Sequence, residues 1–386
     1  MSTRRATLER VIRHLASFER GSASEGERRA AEWIAGELEA AGCRARVEEE
    51  QANGGFWWPL GLLNATATAA ALLRRRIVAT LVGGFAATAV WDDVSGGRLW
   101  FRRAFLPSRS TWNVVAEAGD PDAQRTVVFI AHHDAAHSGL VFHPAISQLP
   151  LKYAPRVHAR ANQSVPFVYG LFLGPLLTAL WGLLGRRPLR GVALFFGIGA
   201  MAAMADVGAR QVVPGANDNL SSVGVLVALA ESLGERPVEG VRVILLSTGS
   251  EEGFMEGMQG FGRRHFPSLP RGTTEFVCLE CVGSPFLCLV EGEGMLRMRY
   301  YPEETREALA AAAAAAGVEV RRGLRTVAAT DALIPLRAGY PTVTLGAVDE
   351  AKAPSNYHWP TDVPDNLLWE SIEGALEVCE AYLRGR

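Results

Sequence analysis

The sequence lacks an excess of either charge. Its 39 basic and 41 acidic side chains give a formal net charge of −2 at pH 7. Nucleic-acid binding needs a basic surface, so we expect no nucleic-acid partner. Lysine is also scarce, occurring only at positions 152 and 352, which we attribute to genomic composition. The hydrophobic share of 48% excludes a disordered chain.

Cysteine is rare and odd in number, with residues at positions 43, 278, 281, 288 and 379. A disulfide-dense small fold is therefore excluded. Cys278 and Cys281 form a CxxC pair, but the second pair or neighbouring histidine that completes a structural zinc site is missing from the sequence. We therefore expect free, buried thiols.

Several short signals are missing as well. The first twenty residues carry charges throughout and lack the apolar stretch of a secretory signal peptide, which favours a cytosolic N-terminus. The GxSxG nucleophile turn, the HExxH helix and the Walker phosphate loop do not occur. The chemistries that depend on these motifs are therefore not indicated.

Hydrophobic periodicity predicts alternating strands and helices. Helices are predicted within 4–41, with a break at 21–25, and at 220–233, 303–317 and 364–383. Strands are predicted at 45–51, 111–117, 125–131, 241–246, 276–282, 286–290 and 342–345. The second and third of these strands are expected to pair as a hairpin across the turn GDPDAQ. The pattern predicts one α/β domain over 1–386, a three-layer sandwich with a mixed, mostly parallel central sheet.

Two regions depart from this alternation, because long uncharged segments are paired around an arginine-rich tip. The segments are 51–73 with 77–91, and 161–185 with 191–205. They predict two inserted hydrophobic helical hairpins, within the insertions 53–107 and 138–212. One arm of each hairpin reaches the roughly 20 residues that cross a bilayer, whereas the other, with about 15, falls short.

Helices that are apolar on every side favour a membrane over water. We expect membrane association through 56–91 and 166–205. The alternative is a soluble cytoplasmic protein whose hydrophobic hairpins pack against each other or a second subunit, so a homo-oligomer stays open. The positive charge of the arginine-rich tips favours an orientation with the tips in the cytosol. The arginines at 98, 102, 103 and 109 and the missing signal peptide favour the opposite orientation, with the catalytic domain in the cytoplasm. We expect this second orientation.

Histidine and acidic side chains cluster at the ends of predicted strands, where α/β sheets place their sites. His132 and Asp134 form an HxD pair, in which the histidine binds a metal ion and the acid orients its ring. Glu251 and Glu252 are adjacent, and two such carboxylates repel each other unless one binds a cation and the other acts as a base. Single residues of this kind also have structural explanations, such as a helix N-cap for Asp218.

The order of the motifs is more specific. HxD, GxNDN, EE, the strand-end acid Glu280 and YHxPxD follow one another along the chain. This order resembles the co-catalytic two-zinc aminopeptidase family, which includes leucyl-type aminopeptidases, glutamate carboxypeptidase and glutaminyl cyclase. The resemblance covers 4–52, 108–137 and 213–384 and leaves the two hydrophobic hairpins outside.

The resemblance implies two Zn²⁺ ions bridged by Asp218, with Co²⁺ or Mn²⁺ as substitutes. One ion would also bind His132 and Glu280, and the other Glu252 and His358. Glu251 would be the general base and Asp134 would support the histidine. In the family a cis peptide bond precedes the residue that corresponds to Asn219.

Three positions depart from the family or stay open. Glu280 stands where many members have aspartate, and His133 stands where many have tyrosine. We favour His132 over His133 because strand alternation directs it to the same side as Asp134. Asp331 lies in a stretch that resembles the family's substrate-pocket segment, and it is either a support for the site or a helix cap.

The expected function is that of a zinc-dependent exopeptidase, with aminopeptidase activity on peptides as the first hypothesis. Two alternatives remain. One is a glutaminyl cyclase-like transferase, and the other is a membrane scaffold with a degenerate catalytic core.

Overall fold

The computed structural model describes residues 3–164 and 168–385. Residues 165–167 lie outside the described residues; all three fall within the predicted arm 161–185, and residues 166 and 167 also fall within the predicted membrane segment 166–205. Strands in chain order are β1 Arg44–Ala52, β2 Arg109–Gly119, β3 Arg125–His132, β4 Val241–Thr248, β5 Thr274–Glu280, β6 Phe286–Glu293, β7 Arg299–Tyr300, β8 Arg321–Thr326 and β9 Thr342–Val348.

The described helices alternate with these strands. The first seven are α1 Thr3–Leu15, α2 Glu25–Ala40, α3 Trp57–Leu72, α4 Arg76–Val94, α5 Trp100–Phe105, α6 Pro144–Tyr153 and α7 Pro155–Arg160. The others are α8 Tyr169–Leu184, α9 Arg187–Ala209, α10 Ser221–Glu235, α11 Glu256–His265, α12 Glu303–Ala315, α13 Leu333–Arg337 and α14 Trp369–Arg384.

Nine strands among the described residues form one mixed sheet in the order β1-β2-β4-β3-β5-β9-β6-β7, with β8 beside β6. The central neighbours β4, β3, β5 and β9 are parallel, and antiparallel pairs flank them. Apolar residues of α1, α2, α10, α12 and α14 pack on one face, and those of α11 and α13 on the other. The predicted α/β three-layer sandwich with a mixed sheet is confirmed, although the sheet, predicted to be mostly parallel, has four parallel and four antiparallel strand pairs among the described residues.

The predicted hairpin between 111–117 and 125–131 is wrong. The chain does reverse there, but β4 lies between β2 and β3, antiparallel to the first and parallel to the second. The amide of Asp120, in the predicted turn, donates to the carbonyl of Val241 at 2.9 Å and so ties the turn to β4. A local turn pattern carries no information about a buried strand that arrives more than a hundred residues later.

Both hydrophobic hairpins are present and pack together as one bundle of α3, α4, α8 and α9. Gly83 and Gly174 lie at the helix contacts: a Cβ atom at Gly83 would lie 2.6 Å from the amide nitrogen of Ala179, and one at Gly174 would lie 2.9 Å from Cα of Gly197. Among the described helices, α4 and α9 are long and apolar enough to cross a membrane, and α8 is apolar but shorter.

The bundle rises from one particular edge of the sheet. β1 and β4 run in the same direction, because both are antiparallel to β2, and β3 is parallel to β4. The carboxyl ends of β1, β3 and β4 therefore share an edge. Since α3 follows β1 and the segment that leads to α8 follows β3, both hairpins start at this edge.

Candidate metal centre

The side chains predicted to carry chemistry follow the carboxyl ends of the central parallel strands. β3 ends at His132 and β5 ends at Glu280, while Glu251 and Glu252 follow the end of β4. Because these three strands are parallel neighbours, their ends meet at one edge of the sheet. This is the edge from which the bundle rises.

Asp218 lies between two histidines. Its Oδ1 atom is 3.2 Å from Nε2 of His132, and its Oδ2 atom is 3.2 Å from Nε2 of His358. Oε1 of Glu280 lies 3.7 Å from the His132 nitrogen, and Oε1 of Glu252 lies 3.1 Å from the His358 nitrogen. Two groups of three donors therefore share Asp218, and within each group the ligand atoms lie within 4.8 Å of one another.

The donor atoms fit a metal ion on the evidence of their own contacts. Oδ2 of Asp218, Oε1 of Glu252 and Nε2 of His358 are buried and have no hydrogen-bond partner. Buried polar atoms are normally satisfied, and a cation between these three would satisfy all of them. Carboxylate and imidazole donors without a thiolate suit zinc, with cobalt or manganese as substitutes.

Glu251 lies at the rim of the cluster. Its side chain is 12% exposed, and Oε2 lies 3.9 Å from Nε2 of His132. Burial raises the pKa of Glu251 well above its usual value, His132 opposes this, and the carboxylates of Glu252, Asp331 and Glu280 raise it further. A partly open carboxyl group of raised pKa beside a metal site is suited to accept and return a proton.

Asp134 holds two parts of the site at once. Its Oδ1 atom lies 3.3 Å from Nδ1 of His132, and its backbone carbonyl lies 3.1 Å from the same nitrogen. The same carboxylate accepts hydrogen bonds from the amides of Glu251 at 3.0 Å and Glu252 at 3.1 Å, and from the hydroxyl of Ser22 at 2.6 Å. One buried acid therefore fixes both the histidine and the backbone of the paired glutamates.

Asp362 is the last residue of the YHxPxD motif, but the resemblance assigns it no role. Asp362 is buried and accepts from the amide of Asn217 at 2.6 Å and from the amide of Asp218 at 3.1 Å. Asn219, which follows a cis peptide bond, donates to the carbonyl of Leu279 at 2.9 Å and so ties this loop to the end of β5. Asp362 thus supports the Asp218 loop in the way that Asp134 supports the glutamate pair.

Glu27, at the start of α2, is a second residue to which the sequence motifs assign no role. Its carboxylate accepts from the amide of Ala23 at 2.7 Å, the hydroxyl of Thr111 at 2.5 Å and the amide of Trp112 at 3.0 Å. It also accepts from the amide of Ser250 at 3.1 Å. Burial raises the pKa of Glu27 to about 8. The residue joins α2 and β2 to the loop that carries Glu251 and Glu252.

The structure shows the positions of His133 and Asp331, whose roles the sequence left open. His133 points away from the cluster, with Nδ1 2.9 Å from the hydroxyl of Ser247, and burial lowers the pKa of this histidine to about 3. Asp331 is buried and accepts from the hydroxyl of Thr248, and no side chain caps α13. Asp331 therefore packs behind the site at the end of β4.

The five cysteines are free and buried, as the sequence predicts. Cys281 donates to Oε1 of Glu280 at 3.2 Å. Within the described part of the chain, neither CxxC thiol belongs to a group that could hold a metal ion.

Aromatic rings surround His358. Tyr357 stacks on its imidazole with ring centroids 3.8 Å apart, and Phe142 meets it edge-on at 4.5 Å. Phe142 belongs to a 3₁₀ turn, Leu140–Phe142, in the segment between β3 and α8. This segment therefore covers one side of the site.

Comparison with known proteins agrees with this geometry. Residues 201–383, just under half of the chain, match the model of Peptidase family M28. No curated protein sequence matches the chain significantly. The match confirms the resemblance to a peptidase family that the motif order predicts.

Several solved structures share this fold. A zinc-dependent exopeptidase from Parabacteroides distasonis has a TM-score of 0.58 at 12% identity, with 99% of this chain and 98% of that one covered. A glutaminyl cyclase from Tannerella forsythia has a TM-score of 0.58 at 13% identity, with 99% and 98% covered. An aminopeptidase from Aneurinibacillus sp. strain AM-1 has a TM-score of 0.56 at 12% identity, with 98% and 92% covered.

Proposed function

We propose that the chain is a zinc-dependent aminopeptidase that removes N-terminal residues from peptides. The observation that carries the proposal is the position of Asp218, which lies 3.2 Å from both His132 and His358. A carboxylate in this position can bridge two metal ions. The match to a peptidase family over 201–383 supports hydrolysis as the reaction class.

The five ligand residues would form two metal-binding groups that share Asp218. His132 and Glu280 would hold one ion with Asp218, and Glu252 and His358 the other. Zinc held there would lower the pKa of a coordinated water to about 7 and would polarise the scissile carbonyl. Glu251 is placed to accept the proton of the attacking water and to return it to the leaving amine. The carboxylate of Asp134 keeps Glu251 in place by accepting a hydrogen bond from the backbone amide of Glu251.

A glutaminyl cyclase is the second candidate, because cyclases are among the structures that share the fold. Such an enzyme normally retains one zinc ion. The presence of both Glu251 and Glu252 favours the hydrolase. Metal content separates the cases: about two zinc ions per chain support the peptidase, one supports the cyclase, and none supports a scaffold.

We propose that a lipid bilayer surrounds the α3–α4–α8–α9 bundle. Small residues predominate at its buried positions, as at Gly83 and Gly174, whereas many large apolar side chains face outward. Ile77 is 77% exposed and Phe195 74% exposed. A water-soluble bundle has the opposite arrangement, and membrane bundles use small residues at helix contacts. At 1.5 Å per residue, the 23 residues of α9 extend about 34 Å, enough for a hydrocarbon core of roughly 30 Å.

The two ends of the bundle differ in a way that supports the same proposal. Trp58, Trp91 and Tyr169 are exposed at the end next to the sheet, where an aromatic belt would meet the lipid headgroups. Arginines collect at the opposite end, at positions 74, 75, 76, 186, 187 and 190. Both polar boundaries of a bilayer thus have matching residues on the bundle.

We place the catalytic domain on the cytoplasmic face, which agrees with five free cysteines in the described residues. The arginine tips would then lie across the membrane, against the usual positive-inside preference. Protease digestion of sealed vesicles of known orientation decides between the two sides. Cleavage of the catalytic domain from outside intact cells would overturn this placement.

The peptidase proposal is tested with a panel of aminoacyl chromogenic substrates. Wild type should hydrolyse at least one substrate, and a chelator should abolish the activity. Glu251→Gln should lower kcat by a factor of about 10² to 10⁴ while zinc content stays unchanged. Full activity in Glu251→Gln would overturn the mechanism, and zinc-independent activity would overturn the metal assignment.

A further inference from the structure

The segment between β3 and α8 exposes apolar side chains that the peptidase chemistry does not use. Leu149 and Tyr153 lie one turn apart on α6, and Val157 lies on α7. Tyr153 is 71% exposed and Val157 70% exposed. Three large apolar groups on two consecutive short helices form a surface, which we call the α6–α7 surface.

Basic residues accompany this apolar surface. Lys152, Arg156 and Arg160 are exposed, and no acidic side chain of the described residues forms an ion pair with them. The sequence contains no aspartate or glutamate from 135 to 205. The segment itself therefore carries a net positive charge, although Asp349 contacts Gln148 of α6 from the loop before His358. Helices that combine exposed apolar groups with Lys and Arg bind at the boundary between anionic headgroups and acyl chains.

The segment that carries this surface begins at the base of the bundle. The amide of Leu140 donates to the carboxylate of Asp206, in the last turn of α9, at 2.6 Å. Gly139 approaches Val207 so closely that a Cβ atom there would lie 2.6 Å from the valine side chain. The ring of His137 lies 4.1 Å from that of Trp57, the first residue of α3. The segment thus starts where the bundle meets the catalytic domain.

The same segment also contacts the catalytic centre. Phe142, two residues before α6, packs against His358, and His143 packs against Trp359 with ring centroids 4.7 Å apart. At the other end, His158 of α7 lies 3.0 Å from the carbonyl of Glu350, in the loop that leads to His358. A force on α6 or α7 therefore acts directly on the surroundings of the site.

We propose that the α6–α7 surface binds the anionic headgroup layer of the membrane that holds the bundle. Leu149, Tyr153 and Val157 enter the boundary region, and Lys152, Arg156 and Arg160 pair with lipid phosphates. This contact keeps Phe142 against His358 and directs the open side of the site to peptides at the lipid surface. The proposal rests on the membrane association proposed above.

The test uses the full chain reconstituted in nanodiscs of phosphatidylcholine, with or without phosphatidylglycerol. Val157→Cys carries an environment-sensitive fluorophore, and a quencher is attached to lipids near the headgroups. The native cysteines are buried and do not compete for the label. We expect blue-shifted emission and quenching in discs with phosphatidylglycerol, and loss of both in Lys152→Gln/Arg156→Gln/Arg160→Gln.

Two controls keep the outcomes distinct. Arg44→Gln/Arg236→Gln/Arg242→Gln removes the same charge at the opposite edge of the sheet and should leave the Val157 signal unchanged. A label at Phe195→Cys, on the outside of α9, reports on the bundle. Quenching at position 195 without quenching at 157 overturns the α6–α7 proposal and leaves membrane association standing. Absence of quenching at both positions overturns the membrane association itself.

Discussion

Arg76, the first residue of α4, donates a hydrogen bond to the carbonyl of Gly182 at 3.0 Å and a second to the carbonyl of Leu183 at 2.7 Å. The opposite hairpin returns the contact, because Arg190 in the first turn of α9 donates to the carbonyl of Ala71 at 2.8 Å. Each hairpin thus satisfies helix-end carbonyl groups of the other. The reciprocal bonds place both arginine-rich tips at the same end of one bundle.

Removing both contacts should loosen the bundle without affecting the metal centre. We expect Arg76→Gln/Arg190→Gln to lower the free energy of unfolding by about 1–3 kcal/mol, because hydrogen bonds from charged donors contribute about this much. Thermal unfolding in detergent micelles measures the change. Arg74→Gln/Arg75→Gln removes two neighbouring charges and is the matched control. Equal stability of the two double variants would show that the reciprocal bonds contribute nothing measurable.

Asp134→Asn should weaken zinc binding while the protein stays folded. The aspartate accepts hydrogen bonds from two backbone amides and a hydroxyl, whereas an asparagine has one oxygen and would direct its amide group toward another donor. We expect zinc affinity, measured by competition with a chelator, to fall 10- to 100-fold, as for other residues that support metal-binding histidines.

Ser22→Ala is the matched control for this position. It removes only one donor to Asp134 and leaves both amide contacts in place. We expect its zinc affinity to change by much less than that of Asp134→Asn. A loss as large as that of Asp134→Asn would mean that the hydroxyl, and not the amide contacts, carries the support.

The sequence predicts the cluster of histidine and acidic side chains around Asp218 better than the residues that hold this cluster in place, and the reason is physical. Alternation along β3 suffices to choose His132 over His133, because side chains of a strand point alternately to its two faces. The ligands also have distinctive chemistry. Asp362 and Glu27, by contrast, act on backbone amides that lie far away in the sequence, and backbone amides carry no sequence signal.

The position of β4 shows the same limit for the fold. Its apolar run is recognisable as a strand, but its place between β2 and β3 depends on pairing between distant segments. The helices of the bundle could be predicted from local sequence. Their identity follows from uncharged length alone, although the contact between the hairpins depends on particular glycines and arginines.

Glu256 should make stability depend on pH below neutrality. It is buried, accepts from the amides of Asn53 at 2.9 Å and Gly54 at 3.0 Å, and has a pKa that burial raises from 4.5 to about 7. Below pH 4.5 both the folded and the unfolded state hold the proton. As the pH rises from 4.5 to 7, only the unfolded state releases it, so the folded state loses stability across this window.

The comparison with Glu256→Gln isolates this effect from the titration of the metal ligands. The stability of wild type relative to Glu256→Gln should fall by roughly 3 kcal/mol between pH 4.5 and pH 7, at about 1.4 kcal/mol for each pH unit of separation between the two pKa values. Denaturant unfolding of detergent-solubilised protein at both pH values measures it. A difference that stays constant with pH would contradict the prediction.

The buried thiols should resist modification until the chain unfolds. Burial raises the pKa of Cys43 to about 11 and that of Cys288 to about 12, so almost no reactive thiolate exists at pH 8. A colourimetric thiol reagent should therefore find no fast-reacting group in the folded chain and five in denaturant. Cys43, which is 8% exposed, should be the first to react as the folded state is destabilised. A fast-reacting thiol under native conditions would contradict the prediction, and its persistence in Cys43→Ser would show that another cysteine opens to solvent.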